Sequence, residues 1–220
     1  MGRGLSKGTP SGGSGGGGEF NKNQVGLERI GTLKEAIGTK GKPMGETKAV
    51  EGANPYYKGG SAEYTENCQR CVVATELRMR GYDVVAKPTY EGDTLPTTAF
   101  MNAKTGQVYK RYMGAFQGAK TKKVSGQKDF ESQVIEGGSG SRYALSFGWK
   151  GSDYGHVINV VNKKGKVRYV DGQTGKYYSG KELWSQIKNG SATITRLDNL
   201  KISDRAKKSV EPTGRRKRGK

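Results

Sequence analysis

The sequence predicts an α+β domain, and three observations carry that prediction. A single well-marked helical segment, residues 66–80, comes first. After it come short runs rich in β-branched and aromatic residues, spaced as an antiparallel meander. Strands do not alternate regularly with long helices, which argues against a parallel α/β sheet. The chain has 220 residues, enough for one ordinary domain with tails. Only 32% of them are hydrophobic and 36 are glycine, so the whole length cannot be core.

Taken in order, residues 1–22 read as disordered, because "GTPSGGSGGGGEF" (Gly8 to Phe20) has flexible-linker composition. Leu27, Ile30, Leu33 and Ile37 fall at helical spacing and predict a short helix over Val25 to Ile37. The following "GTKGKPMGETKAVEGANP" again reads as linker. The expected organisation is therefore a disordered and linker segment at 1–51, a compact domain at 52–204 and a disordered basic tail at 205–220. Within the domain the helix from Glu66 to Arg80 is closed by Gly81, and Asn67 is a good N-cap. A strand "YDVVAKP" follows. Residues 89–127 read as irregular, with turns at Glu91–Asp93 and Lys104–Gly106. Strands are expected at 141–149, 156–162, 166–173 and 192–198, with a helix at 181–188 before the last.

The formal charge is +19. Its densest run is the terminal "RRKRGK", and residues 201–220 hold 9 Lys/Arg against 2 Asp/Glu. A run of this kind is either a solvated tail or a non-specific nucleic-acid contact through phosphate neutralisation. Without interleaved aromatics it is not a base-stacking surface. No apolar run approaches about 18 residues, so no membrane span is expected. The N-terminus lacks the apolar core of a secretory signal.

Both cysteines lie in "YTENCQRCVV", Tyr64 to Val73, and His156 is the sole histidine. A Cys/His-only structural zinc site needs more ligands than these, unless another chain contributes, and no metal or cofactor is expected. A redox pair, a disulfide, and two buried apolar thiols all remain open for a Cys-x-x-Cys pair. His156 adds a fourth reading. It opens "HVINVV", the turn "NKKGK" reverses the chain, and "VRYVDGQ" returns. A two-residue or a four-residue turn places His156, Asp171 and Gln173 on one side of the hairpin, because strand side chains alternate with period two. A cysteine at a helix start with a base and a carboxylate is a thiol-nucleophile arrangement. Cys68, at the first helical position, receives more of the helix dipole than Cys71, one turn further in, so Cys68 is the expected nucleophile and Cys71 packs beneath it. Glu63 and Glu66 would oppose a thiolate unless they point away. Trp149 and Trp184 read as packing residues, Trp149 near enough to His156 to wall a cleft. Asn159 reads as a satisfied polar strand residue.

The segments "NPYYKGGSAEYTENCQRCVVATELRMRGYDVVAKP" and "GHVINVVNKKGKVRYVDGQTGKYY" resemble the papain-fold toxin family, whose characterised relatives include glutamine deamidases. They look most like the versions at the C-terminus of phage minor capsid proteins and in bacterial polymorphic toxins. The resemblance runs from Asn54 to Asp204 on the motifs NCxxC, GHxxN and DxQTG. It implies a papain-like fold with an N-terminal nucleophile helix and a mostly antiparallel sheet. It also implies a catalytic Cys68, His156 and Asp171, with Gln173 and Asn67 as oxyanion or substrate support. The family's usual Asp-Pro-Gln appears here as Asp171-Gly172-Gln173. The implied activity is deamidation of a glutamine side chain in a target protein. A cysteine protease with the same triad is the alternative, as is a non-enzymatic basic accessory module bound to capsid or DNA. The partners implied are a protein substrate, a phage capsid or an immunity protein, with nucleic acid reached through the basic tail. The setting implied is a phage particle or the bacterial cytoplasm, with delivery into a target cell.

Overall fold

In a computed structural model the described residues are 31–89 and 111–214. The expected N-terminal disorder, the first half of the Val25–Ile37 helix, the turns at 91–93 and 104–106 and the terminal "RRKRGK" lie outside them. Six helices and eight strands are present among the described residues: α1 Leu33–Ile37, α2 Glu46–Glu51, α3 Ala62–Thr65, α4 Cys68–Met79, β1 Val84–Ala86, β2 Thr121–Lys123, α5 Gln127–Glu136, β3 Arg142–Gly148, β4 Gly155–Lys163, β5 Lys166–Asp171, β6 Lys176–Tyr178, α6 Gly180–Gln186, β7 Thr193–Arg196 and β8 Val210–Pro212. The α+β class holds, with a six-stranded antiparallel sheet in the order β2-β7-β3-β4-β5-β6 and a small β1-β8 pair.

Strand β4 is central and its residues 156–162 are all buried, so it needs apolar cover on both faces. On one side Val157 packs with Cys68, Val72 and Ala74 of α4 and with Ala144 of β3. Val161 and Val170 meet Ala49 and Val50 of α2 on that side too. On the other side Ile158 and Val160 join Phe130 and Val134 of α5, Leu183 of α6, and Leu145 and Phe147 of β3. The sheet is thus covered by helices on both faces.

Helix α4 is buried at every one of its positions, although Gln69, Arg70, Thr75, Glu76 and Arg78 are polar. A buried charge is tolerated only when it is paired and hydrogen-bonded. Glu76, fully buried, meets Arg80 at 2.7 Å and Arg142 of β3 at 2.8 Å. Arg78 donates to Asp83 at 3.1 Å and to the Val84 carbonyl at 2.9 Å. Gln69 accepts from the Tyr112 backbone at 3.1 Å, and Arg70 donates to the Lys208 carbonyl.

Two stretches assigned by composition to linker and tail are built into this packing, so the folded unit extends beyond 52–204 at both ends. Residues 38–55 read as linker from their glycines and lysines, yet α2 buries Ala49 and Val50, and the α1 residues Ala36 and Ile37 are buried too. At the other end β8 pairs with β1, with Val210 and Glu211 buried. Density of charge misleads there, because the charged Glu211 is itself an interior residue. The remaining unexpected elements, α3, β2, α5 and β6, present few buried side chains. Helix α5 buries only Phe130 and Val134, too few to mark a helical stripe.

A chain ending at Ser203 should therefore unfold well below one ending at Gly214, because it loses β8 together with buried Ala206 and Val210. At about 1.5–3 kcal/mol per buried apolar side chain, a lowering of roughly 10 °C or more is expected in thermal unfolding followed by circular dichroism. Equal midpoints would show that β8 contributes nothing to the core.

Candidate active site

The β4–β5 hairpin sets the first part of the site. Lys163 pairs with Lys166, leaving Lys164 and Gly165 as a two-residue turn with φ of 54° and 81°, the signature of a type I′ connection. This is the shorter of the two turns that keep His156 and Asp171 on one side. The two side chains meet, with His156 Nε2 3.1 Å from Asp171 Oδ2. The imidazole is gripped on two sides. Phe147, its partner on β3, presents its edge at 5.9 Å, and Trp149 stacks on it at 5.9 Å with an interplanar angle of 19°. Trp149 thus stands against His156 as its position suggested, while Trp184 packs on Phe130 and donates to Tyr169 at 3.0 Å.

Asp171 closes β5 and is almost fully buried. Its Oδ1 accepts from the Gln173 backbone at 2.9 Å. Its Oδ2 accepts from Thr174 Oγ1 at 2.9 Å and from Tyr178 hydroxyl at 3.2 Å, besides facing His156. Burial alone would raise its pKa, but the charge and hydrogen bond of His156, then the hydrogen bonds from the Gln173 backbone and the Thr174 hydroxyl, hold it below the ordinary carboxylate value. Burial would likewise lower the pKa of His156. The Asp171 charge and hydrogen bond, followed by the hydrogen bond and charge of Cys68, instead raise it to about 10. At neutral pH the pair is imidazolium and carboxylate.

Cys68 is the first residue of α4, and its side chain hydrogen-bonds His156. Because Nε2 faces Asp171, Nδ1 is the ring nitrogen left for the sulfur. Cys71 sits differently: its thiol donates to Asn67 Oδ1 at 3.1 Å. Burial, then the charges of Asp171 and Cys68, push that thiol well above its ordinary value despite Arg70. Both cysteines are free thiols, so no disulfide joins them. Cys68, His156 and Asp171 are therefore brought together, and Cys71 is set apart beneath them.

Asn67 does not cap α4 with its side chain, contrary to expectation; only its carbonyl does so, accepting from Arg70 and Cys71 backbone nitrogens. Its amide instead pairs with Asn54 at 3.2 and 3.3 Å and donates to the Lys87 carbonyl at 3.1 Å. Gln173 donates to Asn67 Oδ1 at 3.4 Å. Asn67 and Gln173 thus lie under the site, both buried. Asn159 donates to the Val72 carbonyl at 3.2 Å, tying β4 to α4, and Glu66 is exposed.

Asn54, Thr174 and Tyr178 also bond to Asn67 or Asp171 at this site, beyond the site residues that the resemblance implies. Thr174 lies three residues from Asp171 in a turn-prone DGQTG stretch, a spacing that does signal a local side-chain bond. Tyr178 and Asn54 carry no local signal, because strand pairing and a long-range contact bring them in.

Gly172 explains the missing proline of the DxQ motif. A β-carbon there would lie 2.0 Å from Thr75 Oγ1 and 3.1 Å from Ala53 Cβ, so the acid-bearing loop lies flush against α4. Among the described residues no group of three or more His, Cys, Asp or Glu side chains is disposed to hold a metal ion. No described helix is long and apolar enough to cross a membrane.

Residues 66–176 match the family model described as papain fold toxin 1, glutamine deamidase. The chain belongs to this family. Its helix α4 followed by an antiparallel sheet is consistent with the papain-like fold, and membership carries a toxin deamidase activity on protein substrates at the level of the family. Among curated proteins the chain has no match. The matched span contains Cys68, His156, Asp171 and Gln173, but stops short of Asn54 and Tyr178.

Two outcomes follow from this geometry. The His156 pKa, raised from 6.5 to about 10, contributes stability that is fully present below pH about 6.5 and is lost as pH rises through about 10. Asp171, held low, contributes stability above its unfolded value that is lost as pH falls through its lower folded value. Thermal midpoints measured between pH 6 and 10 should fall with pH in the wild type and fall less in Asp171→Asn; parallel curves would contradict the pairing. Gly172→Ala should cost about 1–3 kcal/mol in chemical denaturation, because Thr75 or the loop must shift. A neutral effect would show that the loop does not rest on α4.

Proposed function

We propose that the protein deamidates a glutamine side chain of a protein substrate, with Cys68, His156 and Asp171 as its catalytic triad. The observation that carries this reading is the position of His156 between a buried carboxylate and the sulfur at the start of a helix. Cys68 sulfur attacks the carboxamide carbon, and the carbonyl oxygen takes up negative charge. The backbone N–H of Cys68, which precedes the first bonds to the Asn67 carbonyl at the start of α4, is suited to stabilise that oxyanion. His156 gives its proton to the departing nitrogen, which leaves as ammonia, and the substrate is held as a thioester. The now neutral imidazole takes a proton from water, whose oxygen attacks the thioester. Glutamate is released, and the sulfur regains its imidazolium partner. Asp171 keeps the ring oriented through both halves.

The test is mass spectrometry of bacterial lysate proteins after exposure to the enzyme, seeking glutamine converted to glutamate. Cys68→Ala and His156→Ala should abolish the conversion, and Asp171→Asn should lower turnover by about 10³-fold or more with little change in KM. Cys71→Ala should keep activity while losing about 1–2 kcal/mol of stability, since that thiol is buried. New chain termini in place of glutamate would identify a protease. Conversion that persists in Cys68→Ala and stops in Cys71→Ala would overturn the nucleophile.

A further inference from the structure

A single carboxamide outside the matched segment reaches the helix that carries Cys68 and the loop that carries Asp171. Asn54 is buried, and its Nδ2 donates to the Tyr64 carbonyl at 2.9 Å, to Asn67 Oδ1 at 3.2 Å and to the Gln173 carbonyl at 3.0 Å. Its Oδ1 accepts from Asn67 Nδ2 at 3.3 Å. The Asn54 backbone is itself fixed, because the preceding Ala53 carbonyl accepts from Ala86 of β1 at 2.7 Å.

We infer that Asn54 is a positioning residue for the Cys68–His156–Asp171 site, setting the distance between the start of α4 and the 171–175 loop. The inference rests on the reading of that site given above. The bonds form a closed circuit. Asn54 holds Asn67, whose next residue is Cys68, and it holds Gln173, whose N–H fixes Asp171. Asp171 holds His156, and His156 returns to Cys68. Every other link is a triad contact or lies within one of the two segments, apart from the long Gln173–Asn67 bond at 3.4 Å. Removing Asn54 leaves Asn67 Oδ1 to Gln173 and Cys71 alone and leaves the buried Gln173 carbonyl without this donor, so the spacing of the two segments loses its direct polar tie while the Gly172 contact with α4 remains. Small displacements of reacting groups cost large factors in rate.

The test uses a small electrophile, iodoacetamide, so that no substrate need be identified. Arg70 lies between the cysteines, and trypsin therefore places Cys68 and Cys71 on separate peptides whose alkylation is followed individually. Alkylation of Cys68 in the full chain should be about tenfold or more slower in Asn54→Ala at neutral pH, and its pH profile should move toward that of His156→Ala. Val134→Ala, a buried change in α5 on the far face of the sheet, should lower thermal stability yet leave the Cys68 rate and profile unchanged. Asn54→Asp keeps the size and the acceptor but loses the donors, and should show the same slowing. Wild-type reactivity in Asn54→Ala or Asn54→Asp, with His156→Ala still altered, would overturn this inference alone. An unaltered Cys68 profile in His156→Ala would instead overturn the triad reading on which it rests.

Discussion

The whole structure is organised around a helix that has no solvent face. All twelve residues of α4 are buried, so each of its polar side chains must find a partner at a definite place. Glu76 fixes the helix to β3 through Arg142, and Arg78 fixes its far end to the 83–84 segment and to the Lys48 carbonyl. Arg70 reaches the Lys208 carbonyl, which draws in the C-terminal stretch. These anchors decide where the first residue of the helix lies, and that residue is Cys68. A helix held only by apolar contacts would tolerate a small slide, whereas one held by directional bonds on several sides does not.

His156 and Asp171 share a second constraint, which is electrostatic. Removing His156 would leave the Asp171 carboxylate buried without a countercharge, a costly state in low dielectric, and removing Asp171 would leave burial to drive His156 toward its neutral form. The three additional donors on Asp171 spread that cost and hold the carboxylate ionised. The cysteines show the same principle from the opposite direction. Cys71 lies one turn deeper, near the Asp171 charge, and keeps its proton, while Cys68 faces the imidazolium.

Much of the fold and of the site was readable from local pattern, and the failures have definable causes. The runs of β-branched and aromatic residues announced β3, β4, β5 and β7, because those strands bury much of their length and their composition reflects it. The helix at 68–79 was legible through its N-terminal asparagine and closing glycine rather than through amphipathy, since polar residues lie on all its sides. The hairpin arithmetic that joined His156 to Asp171 worked because a tight turn leaves little freedom of register. Asn67 was read as a cap on its residue type, but its side chain is drawn away by Asn54, a partner thirteen positions earlier that no local rule identifies. Linker-like composition concealed α2, whose burial rests on only Ala49 and Val50. Charge density concealed β8, where Glu211 is interior.

The tight turn at Lys164–Gly165 has a consequence for how chains of this kind can change length. His156 and Asp171 share a side of the sheet only because the residues between them keep a fixed parity. An insertion of one residue within either strand would carry the acid and the base to opposite faces, however well the sequence were otherwise preserved. Length changes outside the hairpin leave this parity untouched. A change of length inside the hairpin is therefore compatible with the His156–Asp171 contact only where it is even and confined to the turn.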